Sequence, residues 1–337
     1  MKIAQLSPVF ESVPPSLYGG TERIVSYLTE ELVNMGHDIT LYASADSKTK
    51  AELRPVCPKA SRLAKVSPHA YNSYVLEKIF QEGDNFDILH SHLEYVGFPA
   101  MRRAKTPNIT TLHGRLDIFP QVFNEFNELS FVSISHAQRT PLPNANWKGM
   151  VYHGLPKDLY NFNDKPDNYL AFVGRICPEK RVDSAIQIAK MASAPLKIAA
   201  KVDTIDKEYF EDIVKPMLDQ PGIEFIGEVN DKKKQELLGN AMAMLFPIEW
   251  PEPFGLAIIE ALACGTPTIA YPYGAIPEIV QNGRTGFIAN GMDDAARAVA
   301  RLPELSRVEC REVFDKKFTA ERMAKDYVKI YEKIRKR

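Results

Sequence analysis

The chain has 337 residues, 45% hydrophobic and 25% charged, with a net charge of −1 at pH 7; this is the composition of a soluble globular protein long enough for two domains. Charge is balanced along it, with 16 basic and 16 acidic side chains in residues 1–160, which excludes nucleic acid as the main ligand. No apolar run approaches the ~20 residues of a membrane span, the start Met1-Lys-Ile-Ala-Gln-Leu-Ser-Pro8 lacks a secretory leader, and Cys57, Cys177, Cys264 and Cys310 form no Cys-x-x-Cys pair, so a cytoplasmic protein without stable membrane insertion, disulfides or a structural zinc is expected.

Lys2–Leu6 reads as a first strand. A turn-rich loop follows, Ser7-Pro8 to Gly19-Gly20-Thr-Glu22, then an amphipathic helix over Ile24–Met35 stopped at Gly36, then a strand at Asp38–Ser44. This is one β–loop–α–β unit of a parallel sheet. The dinucleotide fingerprint Gly-x-Gly-x-x-Gly is absent, and Gly19-Gly20 alone is a weak signal, with a tight turn as its structural alternative. A helix is predicted at Tyr71–Phe80, and further strands at Phe86–His90, Asn108–His113, Phe131–Ser135 and Met150–His153. Three of them end at polar side chains: His90, His113 and Ser135-His136. Ligands of open α/β sheets bind beyond the carboxyl ends of strands, which marks His113. His90 and His92 mimic a metal pair, but no third ligand has suitable spacing. The aromatic stretch Ile118-Phe119 to Phe126 reads as core or a packed lid.

Asn161–Asn168 is polar and turn-rich, the best linker in the chain. The pattern then restarts: a strand at Tyr169–Gly174, a loop Arg175-Ile-Cys-Pro-Glu-Lys180, a helix through Met191, and strands at Leu196–Ala200, Ile223–Ile226, Met244–Phe246 and Thr268–Ala270. The prediction is two doubly wound α/β domains facing a cleft, residues 1–163 and 164–318. The tail, 319–337, is read as a helix capped by Thr319 that docks through Met323, Tyr327, Ile330, Tyr331 and Ile334.

One stretch carries most of the chemistry, Trp250-Pro-Glu-Pro-Phe-Gly-Leu-Ala-Ile-Ile-Glu-Ala-Leu-Ala-Cys-Gly265. Gly255 opens a helix that is apolar except for Glu260. A helix apolar all round is buried, and a buried carboxylate needs partners or costs ~2–7 kcal/mol. Glu260 is therefore expected to face hydroxyls or amides. The amides of Phe254, Gly255 and Leu256 sit where a helix start leaves donors unpaired, a place suited to phosphate, with Glu252 beside them. Arg175 and Lys180, on one loop, add two cations that can neutralise a diphosphate without a metal.

Gly174-Arg175…Glu179-Lys180, Glu252-Pro-Phe-Gly-Leu-x-x-x-Glu260 and Asn282-Gly-x-Thr-Gly286 closely resemble retaining glycosyltransferases of family 4. Tyr18-Gly-Gly-Thr-Glu22 and His113-Gly114 match more thinly. The resemblance implies a GT-B fold, two Rossmann-like domains across a cleft. It implies that Glu260 binds ribose hydroxyls, Glu252 the donor sugar, and Arg175 and Lys180 the diphosphate. Gly19 and Gly20 would let their loop reach the phosphates. His113 would stand by the donor sugar, and the base would lie against backbone at Glu228-Val229. The tail helix would cross back onto the first domain. One departure stands out: relatives commonly carry glycine after the lysine of the cation loop, where this chain has Arg181.

The expected activity is transfer of a hexose, with retention and without metal or other cofactor, from a nucleotide-sugar of UDP type to a hydroxyl of a saccharide or small molecule. Nothing in the sequence reads the base, so GDP- and ADP-sugars stay open. The alternatives are a GT-B-like sugar-nucleotide epimerase or phosphorylase, and a nucleotide-sugar-binding protein without catalysis.

Overall fold

The structure, a computed structural model, describes residues 1–336. The chain divides into two compact units, Met1–Pro156 together with the segment from Thr319 onward, and Lys157–Phe318.

The first unit is built on a seven-stranded sheet of order β3-β2-β1-β4-β5-β6-β7: β1 (Lys2–Leu6), β2 (Asp38–Ser44), β3 (Glu52–Cys57), β4 (Ile88–Ser91), β5 (Asn108–Thr111), β6 (Phe131–Ser133) and β7 (Trp147–Met150). Every pairing is parallel. Parallel strands are covered on both faces and so carry mostly apolar runs; β1 and β2 do so with Gln5 and Thr40 as buried polar exceptions, while β4 ends in the buried polar pair His90-Ser91. β3 escapes the sequence reading because it carries Glu52, Arg54 and Pro55; it lies at the sheet edge, where a proline and charges are tolerated. β7 starts three residues before the predicted Met150, again at an edge.

The helix Gly20–Asn34 follows β1 directly and begins four residues earlier than expected; Gly36, at φ 81°, takes the left-handed turn that stops it. The tail forms the helix Ala320–Arg335, with Thr319 accepting from the Arg322 amide. Met323, Tyr327, Ile330, Tyr331 and Ile334 are buried. Tyr327 bonds Thr111 at 2.9 Å and Tyr331 bonds His90 at 2.7 Å, which fastens the helix to β4 and β5. Gly154 permits the chain's return: a Cβ there would lie 2.2 Å from the Thr319 carbonyl oxygen. Lys333, Arg335 and Lys336 stay exposed; Arg337 lies outside the described residues.

The second unit has a six-stranded parallel sheet of order β10-β9-β8-β11-β12-β13: β8 (Leu170–Ile176), β9 (Leu196–Val202), β10 (Ile223–Phe225), β11 (Ala243–Phe246), β12 (Thr268–Ala270) and β13 (Gly286–Ile288). β13 escapes the sequence reading because it opens on Gly286, the last residue of the turn-rich stretch Asn282-Gly-Arg-Thr-Gly286. Leu170, Phe172, Ile186, Ile198, Leu245 and Ile269 form the core of this unit. The stretch predicted as linker belongs to it. The Asn163 amide donates to Gly239 and Asn240, and Arg307 donates to the Asn163 carbonyl at 2.6 Å. Polar turn residues serve there as anchors, and the chain changes unit earlier, after Pro156. Numbered within its own unit, the second sheet runs 3-2-1-4-5-6 and the first runs 3-2-1-4-5-6-7, a doubly wound order with its switch point between the first and fourth strands.

Candidate functional site

In the second unit the switch point lies between β8 and β11. The chain beyond their carboxyl ends is Cys177–Arg181 on one side and Pro247–Gly255 on the other. Lys180, ending the short turn Pro178–Lys180, places its Nζ 2.5 Å from Glu252 Oε2. The same oxygen accepts from Trp250 Nε1 at 2.8 Å. Lys180 also lies over the rings of Trp250 and Phe246, 5.0 and 5.4 Å from their centroids. The pair is mostly covered, with side-chain exposures of 16% and 12%, so each charge relies on the other. Sequence reasoning missed Trp250, although its place two residues before Glu252 was visible. Gly274 completes the support: at φ 59°, a Cβ on it would meet the Glu252 backbone at 2.3 Å, and the Ala275 amide donates to the Glu252 carbonyl.

Arg175 differs from its expected place. It belongs to β8 itself rather than to the loop, because β8 pairs with β9 as far as Ile176↔Val202. Its guanidinium turns to Asp206 (3.5 Å) and Asp203 (3.8 Å). Burial keeps Asp206 above the usual carboxylate range even with Arg175 opposite. The structure therefore joins Lys180 to Glu252 and gives Arg175 other carboxylates. Arg181 occupies φ 52°, the left-handed region that favours glycine. It is no third cation for a ligand: it holds Asp183 at 3.1 Å and also pairs with Glu249.

The helix Leu256–Ala263 opens from Gly255 at φ 98°. The amides of Gly255 and Leu256 have no partner among the described residues, while the Phe254 ring is buried edge-on to Phe318. Glu260, 4% exposed, is satisfied through one oxygen: Oε1 lies 2.5 Å from Lys234 Nζ and accepts from Tyr160 OH at 3.3 Å. Lys234 and Tyr160 were not found from sequence. Lys234 lies in the charge run Asp231-Lys-Lys-Lys234 on the helix Asp231–Asn240, which Asn230 caps by accepting from the Lys233 amide. Val229, half-buried, precedes that cap and follows Gly227, whose carbonyl holds the Ala200 amide at the end of β9.

In the first unit Gly19 begins the helix Gly20–Asn34, and a Cβ on it would touch Pro15 at 2.9 Å, so close packing requires glycine. Glu22 in the first turn accepts from the Glu11 amide at 3.2 Å; burial pushes its carboxyl up to about 7. Glu11 in turn pairs with Arg62.

His113 follows β5 and joins a chain of neutral rings. Burial pushes His113 down to about 3, and drives His90 and His92 well below the ordinary imidazole value. His92 Nε2 faces Gln5 Oε1 at 2.8 Å, so that nitrogen carries the proton, and His92 Nδ1 accepts. His113 Nε2, 2.9 Å away, then donates. By elimination His113 Nδ1 is a lone-pair acceptor, and it has no partner among the described residues. His90 bonds Tyr331 and Thr111, both at 2.7 Å. The two histidines that mimicked a metal pair are thus hydrogen-bonded inside the fold. Among the described residues no three His, Cys, Asp or Glu side chains form a group that could hold a metal ion. The aromatic stretch divides: Phe123 is buried, whereas Ile118 and Phe119 are 54% and 46% exposed. Pro120 starts the short helix Pro120–Glu125 and leaves those two residues on the loop before it.

Comparison with known proteins bears on the family and the fold. The family described as "Glycosyl transferases group 1" matches residues 160–318, and "Glycosyltransferase Family 4" matches residues 18–151. The chain is 33% identical to the N-acetyl-alpha-D-glucosaminyl L-malate synthase of Bacillus anthracis, covering 93% of each chain. It is 24% identical to the phosphatidyl-myo-inositol mannosyltransferase of Mycolicibacterium smegmatis, over 90% of this chain and 84% of that one. Among solved structures, AviGT4, a glycosyltransferase involved in avilamycin A biosynthesis, superposes with a TM-score of 0.78 at 23% identity, covering 99% of this chain and 98% of that one. Anabaena HepE, in complex with UDP-glucose, gives 0.75 at 17% identity, covering 99% and 100%. Among the described residues no helix is long and apolar enough to cross a membrane.

Proposed function

The chain belongs to the family 4 glycosyltransferases with the GT-B fold, and from that premise we propose that it transfers a hexose from a UDP-sugar to a hydroxyl of a saccharide or small molecule, retaining the anomeric configuration and using no metal. The observation that carries the reading is the Lys180–Glu252–Trp250 cluster beside the Gly255 helix start at the switch point of the second sheet. The UDP assignment draws on the UDP-glucose bound by HepE.

In this reading Glu252 exchanges part of its bond to Lys180 for a hydroxyl of the donor sugar. Lys180 then faces the diphosphate, together with the amides of Gly255 and Leu256 and with Arg175. Glu260 keeps Oε1 on Lys234 and offers its other oxygen to the ribose. The backbone at Val229 meets the base, and Gly19-Gly20 give room for phosphate. His113 acts toward the sugar only as a hydrogen-bond acceptor, since its other ring nitrogen is spent on His92. The acceptor oxygen bonds to the anomeric carbon on the face from which the diphosphate leaves, and a diphosphate oxygen takes the acceptor's proton. Such a step asks for charge stabilisation on the leaving group more than for a protein base.

The test is a panel of UDP-, GDP- and ADP-sugars in EDTA, read first by thermal stabilisation and then by nucleotide release with and without acceptor. Proton NMR of the product gives the anomeric configuration. Release only with acceptor and a retained configuration are expected. An inverted product, or activity that requires an added divalent ion, refutes the mechanism; acceptor-independent conversion of the sugar points to an epimerase.

A further inference from the structure

The first unit contains a pocket of about 300 Å³ to which no role has been given, at the lower end of the size range of small-molecule sites. Glu94, Tyr95, His113, Arg115, Ile118 and Phe119 are among its lining residues. Glu94 holds the left-handed backbone at φ 52° without being glycine, a strain that persists only where the surroundings enforce it and that clusters at ligand sites. What enforces it is its Oε1, which accepts from the His113 amide at 2.5 Å and the Gly114 amide at 3.0 Å. Its Oε2 has no partner among the described residues.

The apolar part of the lining is unusually open. Tyr95, Ile118 and Phe119 are 44%, 54% and 46% exposed, yet Tyr95 and Phe119 already meet edge to face, 5.4 Å between centroids. The rings stand at 70° to each other, so one ring face is left to stack on a ligand while the other ring braces it, and a braced ring loses little side-chain entropy on binding. The one cation of the lining, Arg115, has its Nε on Asp117 Oδ1 at 2.8 Å, so its charge is met inside the protein. An anion entering the pocket would face Glu94 with no spare positive charge to receive it.

We propose that this pocket takes the acceptor of the transfer, and that the acceptor is an uncharged hydroxyl compound with a flat apolar face. Glu94 Oε2 holds its hydroxyl, and one ring of the Tyr95–Phe119 pair stacks on its face while the other meets its edge. The proposal rests on the transferase reading and adds to it the acceptor class and the residues that select it. Burial pushes the Glu94 carboxyl up to about 7, so near neutral pH it is present in both forms and accepts from or donates to a hydroxyl.

The experiment uses the full chain with whichever of UDP-, GDP- or ADP-glucose stabilises it thermally. Three probes are compared at equal concentration: 4-nitrophenyl β-D-glucopyranoside, glucose 6-phosphate and L-malate. Nucleotide diphosphate release is expected to rise only with the neutral aryl glucoside. Tyr95→Ala and Phe119→Ala are expected to raise its KM about threefold to tenfold, the range of an aromatic contact, and to move the donor KM less than about twofold. Glu94→Gln, which keeps an oxygen for the two amides, is expected to remove the inflection near pH 7 from kcat/KM for the acceptor. Preference for glucose 6-phosphate or malate overturns the proposal. So does an unchanged aryl-glucoside KM in both aromatic variants, or a donor that binds while none of the probes responds; in that last case the transferase reading stands. If no nucleotide-sugar stabilises the protein, the transferase reading itself fails.

Discussion

Glu260 offers a quantitative test of the nucleotide-binding half. Lys234→Met removes the cation 2.5 Å from Glu260 Oε1 and keeps an unbranched side chain one atom shorter. The carboxylate then sits on a helix whose other inner residues are all apolar, with side-chain exposure of 6%, against 12% for the lysine it has lost. Breaking a buried pair by removing one partner costs ~3–5 kcal/mol. The Tyr160 hydroxyl at 3.3 Å is too long to replace the lysine. The partial exposure of Lys234 argues for the lower end, about 3 kcal/mol. In a unit of this size each kcal/mol moves the midpoint by ~2–4 °C, so its thermal transition is expected to fall by roughly 6–12 °C. Differential scanning calorimetry with and without UDP measures it. Glu260→Gln in the Lys234→Met background restores part of the loss, because an amide leaves no unpaired charge. A fall of under about 2 °C for Lys234→Met, or no recovery in the double variant, refutes the idea that Lys234 balances this carboxylate.

Four further outcomes follow from the geometry. Lys180→Ala or Glu252→Ala is expected to cut transfer by at least ~10²-fold, the scale of losing one preorganised charge, with the far-UV circular dichroism of the wild type; full turnover by either variant refutes the assignment. Gly255→Ala places a side chain at φ 98° and 3.1 Å from Ile258 Cδ1, so about 1–2 kcal/mol of strain is expected, seen as a lower midpoint and weaker UDP binding by calorimetry. Burial pushes the Glu22 carboxyl up to about 7 from 4.5; the folded state binds the extra proton, so the Glu22 contribution to stability is full below about 4.5 and is lost as pH rises to about 7, by about 3 kcal/mol in total. Denaturant unfolding across that window checks it, and Glu22→Gln should flatten the Glu22 part of the slope while Glu94, also near 7, keeps the rest. Gln5→Leu removes the acceptor that fixes the His92 proton; nitrogen-15 NMR of the histidine rings is then expected to report a changed His113 tautomer and kcat to fall more than the donor KM rises.

How much of this was legible depended on how each feature is encoded. The central strands were read because parallel strands buried on both faces are mostly apolar words, and β1 and β2 were located to the residue. β3 and β13 were not: β3 is written with Glu52, Arg54 and Pro55, and β13 opens on Gly286 at the end of a run of turn formers. At the site, Glu252, Gly255 and Glu260 were visible because a carboxylate or glycine in an apolar string breaks the pattern. Their partners were not, since Lys234, Trp250 and Tyr160 are unremarkable in their own segments and become partners only through folding. The linker was misplaced for the same reason: Asn163 has the composition of a loop, and its three anchors lie 76, 77 and 144 residues away.

The two units use one strand order to opposite electrostatic ends. At the β8–β11 switch point the side chains are ionised and paired: Lys180 with Glu252, Arg175 with Asp206, and Lys234 with Glu260 on the neighbouring helices. In the first unit the residues on and after β4 and β5 are His90, His92 and His113, all uncharged and linked through Gln5 to Tyr331 of the tail helix. Ionised pairs survive only where partial exposure and close counter-charges offset desolvation. The histidines are too deep for that and resolve the same problem by giving up their protons. In the proposed transfer, the second unit is the source of charge for the leaving diphosphate, and the first offers neutral acceptors whose orientation is set by a helix contributed from the far end of the chain. Truncating that helix before Tyr327 should therefore disturb the His113 ring signals in NMR even where UDP binding by the second unit persists; histidine signals unchanged by the truncation would show that the tail does not set the tautomers.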